Sequence, residues 1–496
     1  MHSPESVRTG GHRLDWAIKP EPFKIYPDLP VVSLPRDFPM PELDTLAAIS
    51  TAATGTAALD FERLAALLFF TAGVTKRSSY PGGGVMYFRA APSTGALYQT
   101  EVYVVAGAVD GLAAGIYHFS PGDFALRRLR EGDFRGALAI AAAEEDLAER
   151  PATLVMTAIY WRNTWKYQAR GYRHLFWDSG SMLANLLASA TALGLDARAV
   201  TGFVDLEVNG LLGLDAEKEG ALLLVPVGAA GRSAPASPVV VAISPSIIPL
   251  SSSEVDYPIL RDAYANSSLE TESEVQAWRE GAIRRREREG VPIGLPAPRR
   301  KAGRGLAETI MVRGSTREFS GAAIDADDLS AALWHASRGW PADVPSRLVD
   351  LYVSVHAVEG IERGAYAYDR DAHALDLVRR GDFRREAAFL CLEQPLGGMS
   401  SATVFFLADL GAVLEAFGNR GYRAANLEAG LIGGRLYLAA YAQRFGATGL
   451  TFYDRDVVDF FAPHAAGKDA LFVTAVGRSV KGVARSPAPM QITRSS

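Results

Sequence analysis

A repeat restricts the fold more than any other feature of this chain. The stretch "GIYHFSPGDFALRRLREGDFR" (115–135) returns as "GAYAYDRDAHALDLVRRGDFR" (364–384). Gly115, Tyr117, Ala125, Leu126 and the run Gly132 to Arg135 recur 249 residues on, as Gly364, Tyr366, Ala374, Leu375 and the run Gly381 to Arg384. "ARGYRHLFWDSG" (169–180) matches "NRGYRAANLEAG" (419–430) at 250, and the closing "ALLLVPVG" (221–228) matches "ALFVTAVG" (470–477) at 249 again. An offset held within one residue over most of both halves means a duplicated domain. The ancestor of such a chain is a twofold homodimer, so an intrachain pseudo-dimer is expected.

Each repeat opens on a helical pattern. Leu64, Leu67, Leu68 and Thr71 follow i, i+3, i+4, i+7 spacing, as do Leu329, Ala332, Leu333 and Ala336. Strands follow at "EVYVVAGAV" (101–109) and "DLYVSVHAV" (350–358), then a long helix after Arg-Gly-Tyr-Arg, then a last strand ending in Val-Gly. Helices on either side of sheet strands give an α+β class, two tandem domains of one kind. The expected boundaries are a Pro-rich arm at 1–44 lying over the first domain, repeats at 45–230 and 305–485, and a tail at 486–496. Between the repeats, 231–304 reads as an extended Ser/Pro segment and then a charged helix, "ETESEVQAWREGAIRRREREG". Its Arg284 to Arg286 run is interleaved with glutamates and reads as a solvated face.

Composition excludes several functions. A net charge of −5 gives no bulk attraction to nucleic acid or anionic membrane. No apolar run is long enough for a membrane span, and the N-terminus shows no signal-peptide core. One cysteine, Cys391, permits no thiolate cluster and reads as a small buried hydrophobe; the eight histidines lack metal-ligand spacing. A cytoplasmic protein without a metal is expected. "PGGGV" (81–85) lacks the spacing of a dinucleotide-binding turn, and His118, opposite Ala367, reads as structural or surface.

The informative positions are those where the halves differ. "RGSTREF" (313–319) places Arg313, Ser315 and Arg317 on one short loop, a pattern suited to an anion. Aligned on Leu64 and Leu329, these fall opposite Ala48, Ser50 and Ala52. Conversely "PSTGALY" (92–98) has become "PADVPSR" (341–347), with Gly95 replaced by Val344 and Tyr98 by Arg347. A glycine permits close backbone approach to a flat ligand; a β-branched residue does not. Lys166 and Tyr167 face Ala416 and Phe417. One composite site is expected, built from the anion loop of the second half and the small-residue loop and Lys-Tyr pair of the first.

Three stretches, "LDWAIKPEPFKIYP" (14–27), "RAAPSTGALYQTEVYVVAGAVDGLAAGIYHF" (89–119) and "KYQARGYRHLFWDSGSMLANLLASATALGL" (166–195), resemble the FMN-dependent nitroreductase superfamily. Within it they resemble the SagB-type dehydrogenases, which include the azoline oxidases of thiazole- and oxazole-containing peptide biosynthesis. The resemblance covers most of both repeats. It implies one FMN at the interface. Arg313, Ser315 and Arg317 hold its phosphate and ribityl chain, and Pro92, Ser93, Thr94, Gly95 and Ala96 come from the other half. Thr448, Gly449 and Leu450 lie against the ring with backbone N–H groups aimed at its N5 and pyrimidine edge. Arg478 and Lys481 add charge for the phosphate. Lys166 and Tyr167 become the catalytic pair, with the ammonium lowering the tyrosine's pKa so that it acts as the base. Close relatives carry Gly at the place of Gln168, and many SagB-type proteins have Arg-Tyr at the pair. The implied substrate is a heterocycle or backbone in a modified peptide, or a related small molecule. The alternatives are an NAD(P)H-dependent reductase of nitro or quinone compounds and a flavin-free scaffold subunit of a peptide-modifying complex.

Overall fold

The computed structural model describes residues 2–79, 84–231, 233–283 and 292–483. The Arg284 to Arg286 run, most of "PGGGV" and the tail 486–496 lie outside these.

The first repeat contains β1 (Val31–Ser33), the hairpin strands β2 (Val74–Ser79) and β3 (Val85–Arg89), then β4 (Thr100–Ala106), β5 (Gly115–Ser120), β6 (Ala125–Glu131), β7 (Ala152–Ile159) and β8 (Glu219–Val227). Apart from the hairpin these form one sheet in the order β1-β6-β5-β4-β7-β8. The second repeat contains β9 (Pro292–Gly294), β10 (Ile324–Asp325), β11 (Asp350–Val355), β12 (Val358–Glu359), β13 (Gly364–Asp369), β14 (Ala374–Arg380), β15 (Ala402–Ala408), β16 (Gly446–Gly449) and β17 (Asp469–Gly477). Its sheet runs β16-β17-β15-β11-β13-β14-β9, the same order with one added edge strand, while β10 and β12 form a separate two-residue pair. Both main sheets are antiparallel, and β4, β7 and β8 are buried at every position. The expected opening helices form at Phe61–Ala72 and Ala326–Ala336. Cys391 is fully buried, and His118 is buried against Glu101 at 2.7 Å.

The halves meet through their longest helices, Gly171–Ala192 and Arg420–Ala442. These cross at Gly180 and Gly430, which the repeat equates. A Cβ on Gly180 would lie 2.3 Å from the Leu427 carbonyl oxygen, and one on Gly430 would lie 2.3 Å from that of Trp177. Ser181 donates to the Gly430 carbonyl at 3.2 Å, and Trp177 Nε1 donates to Asn426 Oδ1 at 2.9 Å.

The two Arg-Gly-Tyr-Arg elements clamp this interface. Arg170 (2.7 Å) and Arg173 both pair with Asp454 of the second repeat. Arg420 (2.5 Å) and Arg423 (2.7 Å) pair with Asp205 of the first. Burial alone would raise both aspartates, but the paired guanidiniums outweigh it and hold each below the usual carboxylate range.

Three expectations are corrected. The arm does not lie on the first repeat alone: the His2 amide donates to Asp454 (2.6 Å) and Arg8 pairs with Glu393 before the chain enters β1. In the linker the charged helix forms over Glu272–Arg279 and ends before Gly281, its remainder from 284 lying outside the described residues, and a further helix, Pro258–Asn266, precedes it. At the N-terminal ends, Asp44 bridges to Gly305, an offset of 261. That shifts the anion-loop alignment by four residues, placing Arg313, Ser315 and Arg317 opposite Ala52, Thr54 and Thr56. The first half still has no arginine there.

Gly180→Ala forces the central helices apart and is expected to cost about 1–3 kcal/mol, the usual penalty of overpacking. Gly210→Ala, where an added Cβ meets nothing within 4 Å, is expected to be neutral or slightly stabilising. Urea midpoints of the two variants check this; equal midpoints would remove the crossing from its central place.

Candidate functional site

A cavity of about 1150 Å³ lies between the repeats. Its wall includes Pro92, Ser93, Thr94, Gly95, Ala96, Lys166 and Tyr167 from the first half, and Arg313, Ser315, Arg317, Thr448, Gly449 and Leu450 from the second. The expected site residues thus share one space, with one exception. Arg478 is absent from the lining; its guanidinium reaches the Ala323 carbonyl (3.4 Å) and Asp328 (3.6 Å). Lys481, three residues on, does line the cavity.

The small-residue loop is fixed from below by Asp178 of the first central helix. Ser93 Oγ (2.5 Å), the Thr94 amide (2.9 Å), Thr94 Oγ1 (2.7 Å) and Gln99 Nε2 (2.7 Å) all donate to its carboxylate. Burial raises the Asp178 pKa to about 6 in spite of these donors. Gly95 sits at φ +66°. A Cβ there would come 3.0 Å from the Tyr167 hydroxyl and 3.3 Å from Lys166 Cδ. The missing side chain therefore lets the loop rest directly against the Lys-Tyr pair.

That pair ends the helix Tyr160–Tyr167. Gln168 follows at φ +51°, ψ −145°, close to the φ +56°, ψ −162° of its repeat mate Gly418. The turn thus asks of a glutamine what glycine adopts freely, a strain of about 1–3 kcal/mol. Arg162 anchors the helix by pairing with buried Glu101 and donating to the Tyr98 carbonyl at 3.0 Å. Tyr98 both packs and lines the cavity, and its hydroxyl accepts from the Arg89 amide at 3.1 Å. Tyr167 meets the buried His174 ring edge-on at 4.5 Å. His174 Nδ1 faces Asn163 Oδ1 at 2.9 Å, and its Nε2 has no hydrogen-bond partner among the described residues.

The electrostatics reverse the expected roles in the pair. Burial raises the Tyr167 pKa, Asp178 adds to the rise, and Arg317 only partly opposes it. Burial and Arg317 push the Lys166 pKa below its ordinary value. Lys166 Nζ lies over the tyrosine ring, 5.4 Å from its centroid. Burial thus favours the neutral phenol of Tyr167 and makes the Lys166 ammonium release its proton more readily than usual.

The anion loop follows the helix Leu306–Val312. Arg313 crosses to the first half and donates to the carbonyls of Arg89 (2.8 Å) and Ala90 (3.0 Å). Ser315 Oγ shares a hydrogen bond with Tyr437 Oη at 3.2 Å, and the Thr316 amide donates to Ala447 at 2.9 Å. Arg317 is exposed on the wall with no carboxylate paired to it among the described residues. The turn at 448–450 departs from expectation. The Gly449 amide donates to Tyr437 Oη (2.6 Å) and the Leu450 amide to the Val473 carbonyl (3.1 Å). Both donors, at the end of β16 and just past it, are thus engaged within the protein.

The opposite pseudo-site is closed. There the equivalents of 448–451 and 92–94 bond directly. The Ala199 amide donates to the Pro341 carbonyl (2.9 Å), and the Asp343 carboxylate accepts from the Thr201 amide, Thr201 Oγ1 and the Gly202 amide, each at 2.8 Å. No hydrogen bond joins the corresponding segments across the open cavity among the described residues.

Sequence reasoning missed Asp178, His174, Tyr437 and the hairpin residues Lys76 and Arg77. Asp178 had a signal: its repeat mate Glu428 is also acidic and accepts from the Arg347 (2.6 Å) and Leu348 (2.5 Å) amides.

The nitroreductase family model matches residues 39–229 and 310–478. The chain belongs to the nitroreductase family. It is 33% identical over 171 residues to a putative nitroreductase of Methanocaldococcus jannaschii, covering 34% of this chain and 81% of that protein. It is 28% identical over 139 residues to the microcin B17-processing protein McbC of Escherichia coli, covering 27% of this chain and 51% of McbC. A solved structure of a putative nitroreductase from Anabaena variabilis superposes over 96% of this chain and 97% of its own, with a TM-score of 0.78 and 28% identity. That coverage includes both repeats, so the tandem architecture is shared. The similarity to McbC agrees with the narrower resemblance to SagB-type dehydrogenases. No helix among the described residues is long and apolar enough to cross a membrane.

Gly95→Ala puts a side chain where φ is +66° and is expected to cost about 1–2 kcal/mol while displacing Tyr167. A urea midpoint indistinguishable from that of the unaltered protein would show that the loop has room to spare.

Proposed function

We propose that this protein is an FMN-dependent oxidoreductase with one flavin site per chain. On this reading it oxidises a heterocycle or backbone position in a modified peptide or related natural product. The observation that carries the reading is the asymmetry of the two pseudo-sites: one is an open cavity, and the other is zipped shut through Ala199 and Asp343. The open cavity suits a flat, anionic cofactor. Gly95 leaves a cradle that a Cβ would fill, and the anion loop brings two arginines and a hydroxyl to a phosphate of about −1.5 to −2 charge.

When bound, FMN supplies a two-electron acceptor; the protein supplies position and proton handling. Arg313, Ser315 and Arg317 hold the phosphate and ribityl chain. Pro92 to Ala96 and Thr448 to Leu450 bound the ring. Lys166, as the free amine, accepts the proton lost by the substrate carbon, because its burial beside Arg317 disfavours the ammonium. Tyr167 remains protonated and orients the substrate by donating a hydrogen bond. The similarity to McbC, named for processing a peptide, supports a peptide-derived substrate.

A second reading, reduction of nitro or quinone compounds with NAD(P)H, is favoured by the similarity to the Methanocaldococcus protein. Anaerobic mixing separates the two: a thiazoline-containing peptide bleaches the flavin on the first reading, NAD(P)H on the second.

Released flavin measured against protein concentration should give a ratio near one. Arg317→Ala should weaken FMN binding by about 10- to 100-fold, the value of one charge-assisted hydrogen bond. A ratio near two would sink the closed pseudo-site, and none after reconstitution would leave the flavin-free scaffold. With the thiazoline peptide, kcat/KM should rise with pH toward a midpoint below 10.5, as the lysine ammonium loses its proton. Lys166→Gln should abolish that rise and slow the reaction about 10²- to 10⁴-fold. An unchanged pH profile in that variant would remove Lys166 as the base.

A further inference from the structure

Tyr167 has buried polar neighbours that its counterpart in the other half lacks. His174 stands one turn before Asp178 on the first central helix, with no exposed surface. Its ring lies between two others: Tyr167 meets it edge-on at 4.5 Å and Trp177 at 4.6 Å. Trp177 is itself held from the second repeat, through Nε1 donating to Asn426 Oδ1 at 2.9 Å. On the far side Asn163, also fully buried, presents Oδ1 to His174 Nδ1 at 2.9 Å. An amide oxygen only accepts, so Nδ1 carries the hydrogen. Burial, then Arg170 and Arg173, hold the His174 pKa well below its ordinary value, so the ring is neutral.

The repeat shows what the fold alone asks of these places. At the 250 offset Asn163 becomes Val413, Tyr167 becomes Phe417, His174 becomes Ala424 and Trp177 becomes Leu427. All four counterparts are buried and apolar. The second repeat thus builds the same pair of helices with no polar side chain at these positions. The first repeat keeps one that is costly. Asn163 Nδ2 and His174 Nε2 are buried without a hydrogen-bond partner among the described residues, and burying unpaired polar atoms is unfavourable. A local rule broken in only one of two copies of a fold, and in the copy whose Tyr167 lines the open cavity, points to a demand of the site.

We propose that Asn163 and His174 are positioning residues for Tyr167: Asn163 fixes the imidazole, and the imidazole fixes the place and plane of the phenol ring. The hydroxyl then sits beside Gly95 and donates in one direction, because a phenolic O–H lies in the plane of its ring. Phe417 has no hydroxyl to aim, which is why Val413 and Ala424 suffice around it. The proposal rests on the reading of Tyr167 as the group that orients the reactant.

The test uses the full chain. Asn163→Val/His174→Ala gives the first repeat the residues of the second, so it should fold and keep its flavin content. With the thiazoline peptide its kcat should fall about 10- to 100-fold, the scale of a slightly misplaced group. In a Tyr167→Phe background the same two substitutions should change kcat less than about threefold, since no hydroxyl remains to be placed. Equal losses in both backgrounds overturn the proposal. A double variant that fails to fold assigns the pair to stability and overturns it too. A second readout needs no flavin. In the chain labelled with ¹³C at the tyrosine ε positions, Tyr167, identified by its loss in Tyr167→Phe, should give two ε resonances, the mark of a ring that does not flip. They should merge into one in the double variant. A single resonance in the unaltered protein, or two in the variant, would sink the positioning role. Absent flavin or absent turnover in the unaltered protein would instead be a failure of the flavin reading, and the ε resonances then decide alone.

Discussion

The whole architecture depends on how closely two helices can pass. At Gly180 and Gly430 the backbones of the central helices approach so nearly that a methyl group on either would meet a carbonyl oxygen of the other at 2.3 Å. This contact sets the distance between the sheets and hence the width of any space between the repeats. Around it the molecule is a twofold object. Each Arg-Gly-Tyr-Arg element reaches across to one aspartate of the other half, Asp454 or Asp205, at equivalent places. Such buried pairs add little net stability compared with apolar packing, but losing one partner leaves an unpaired buried charge worth about 3–5 kcal/mol. They therefore fix how the halves face each other.

A twofold frame offers two equivalent sites, and the side chains decide otherwise. On one side Gly95 keeps its loop thin and the anion loop keeps its arginines. On the other, Val344 replaces the glycine, alanine and threonine replace the arginines, and Asp343 ties the loop to Thr201 and Gly202. The zipped side buries backbone polar groups against each other, so it does not need a ligand to satisfy them. The open side has no such substitute. Its Asp178 holds the loop from behind and leaves the front of the loop to the cavity.

Most of this was legible in the sequence because duplication makes a chain its own comparison. The repeat offset exposes the two domains, the sheet strands and the divergent loops, and it groups Pro92 to Ala96, Lys166, Tyr167, Arg313 and Arg317, which line one cavity. What it missed has physical reasons. Arg478 and Lys481 both follow the last strand, and only the backbone path after β17 decides which reaches the cavity. The anion-loop alignment slipped because the helix Thr45–Ser50 is one residue shorter than Leu306–Val312 and the segments after them differ in length. The hairpin cations Lys76 and Arg77 lie in a segment for which no repeat counterpart had been matched, so no comparison drew attention to them.

The Lys-Tyr pair shows why residue type alone misassigns roles. A lysine beside a tyrosine suggests an ammonium that stabilises a phenolate. In the folded protein the amine lies over the tyrosine ring, while the hydroxyl lies close beside Gly95 at the cavity wall. Burial penalises whichever form is charged, and it acts on both members in opposite directions on the pH scale: the phenol is held neutral, and the ammonium is pushed toward the neutral amine. Arg317 reinforces the second shift and opposes the first, where Asp178 acts against it. The loop that would hold a phosphate therefore also acts, after burial, on the protonation of Lys166 and Tyr167. A cofactor phosphate seated there would neutralise part of Arg317's field and leave burial, the larger cause, to hold the Lys166 pKa below its ordinary value. Anion binding in the second half and proton handling in the first are thus coupled through one guanidinium at the interface.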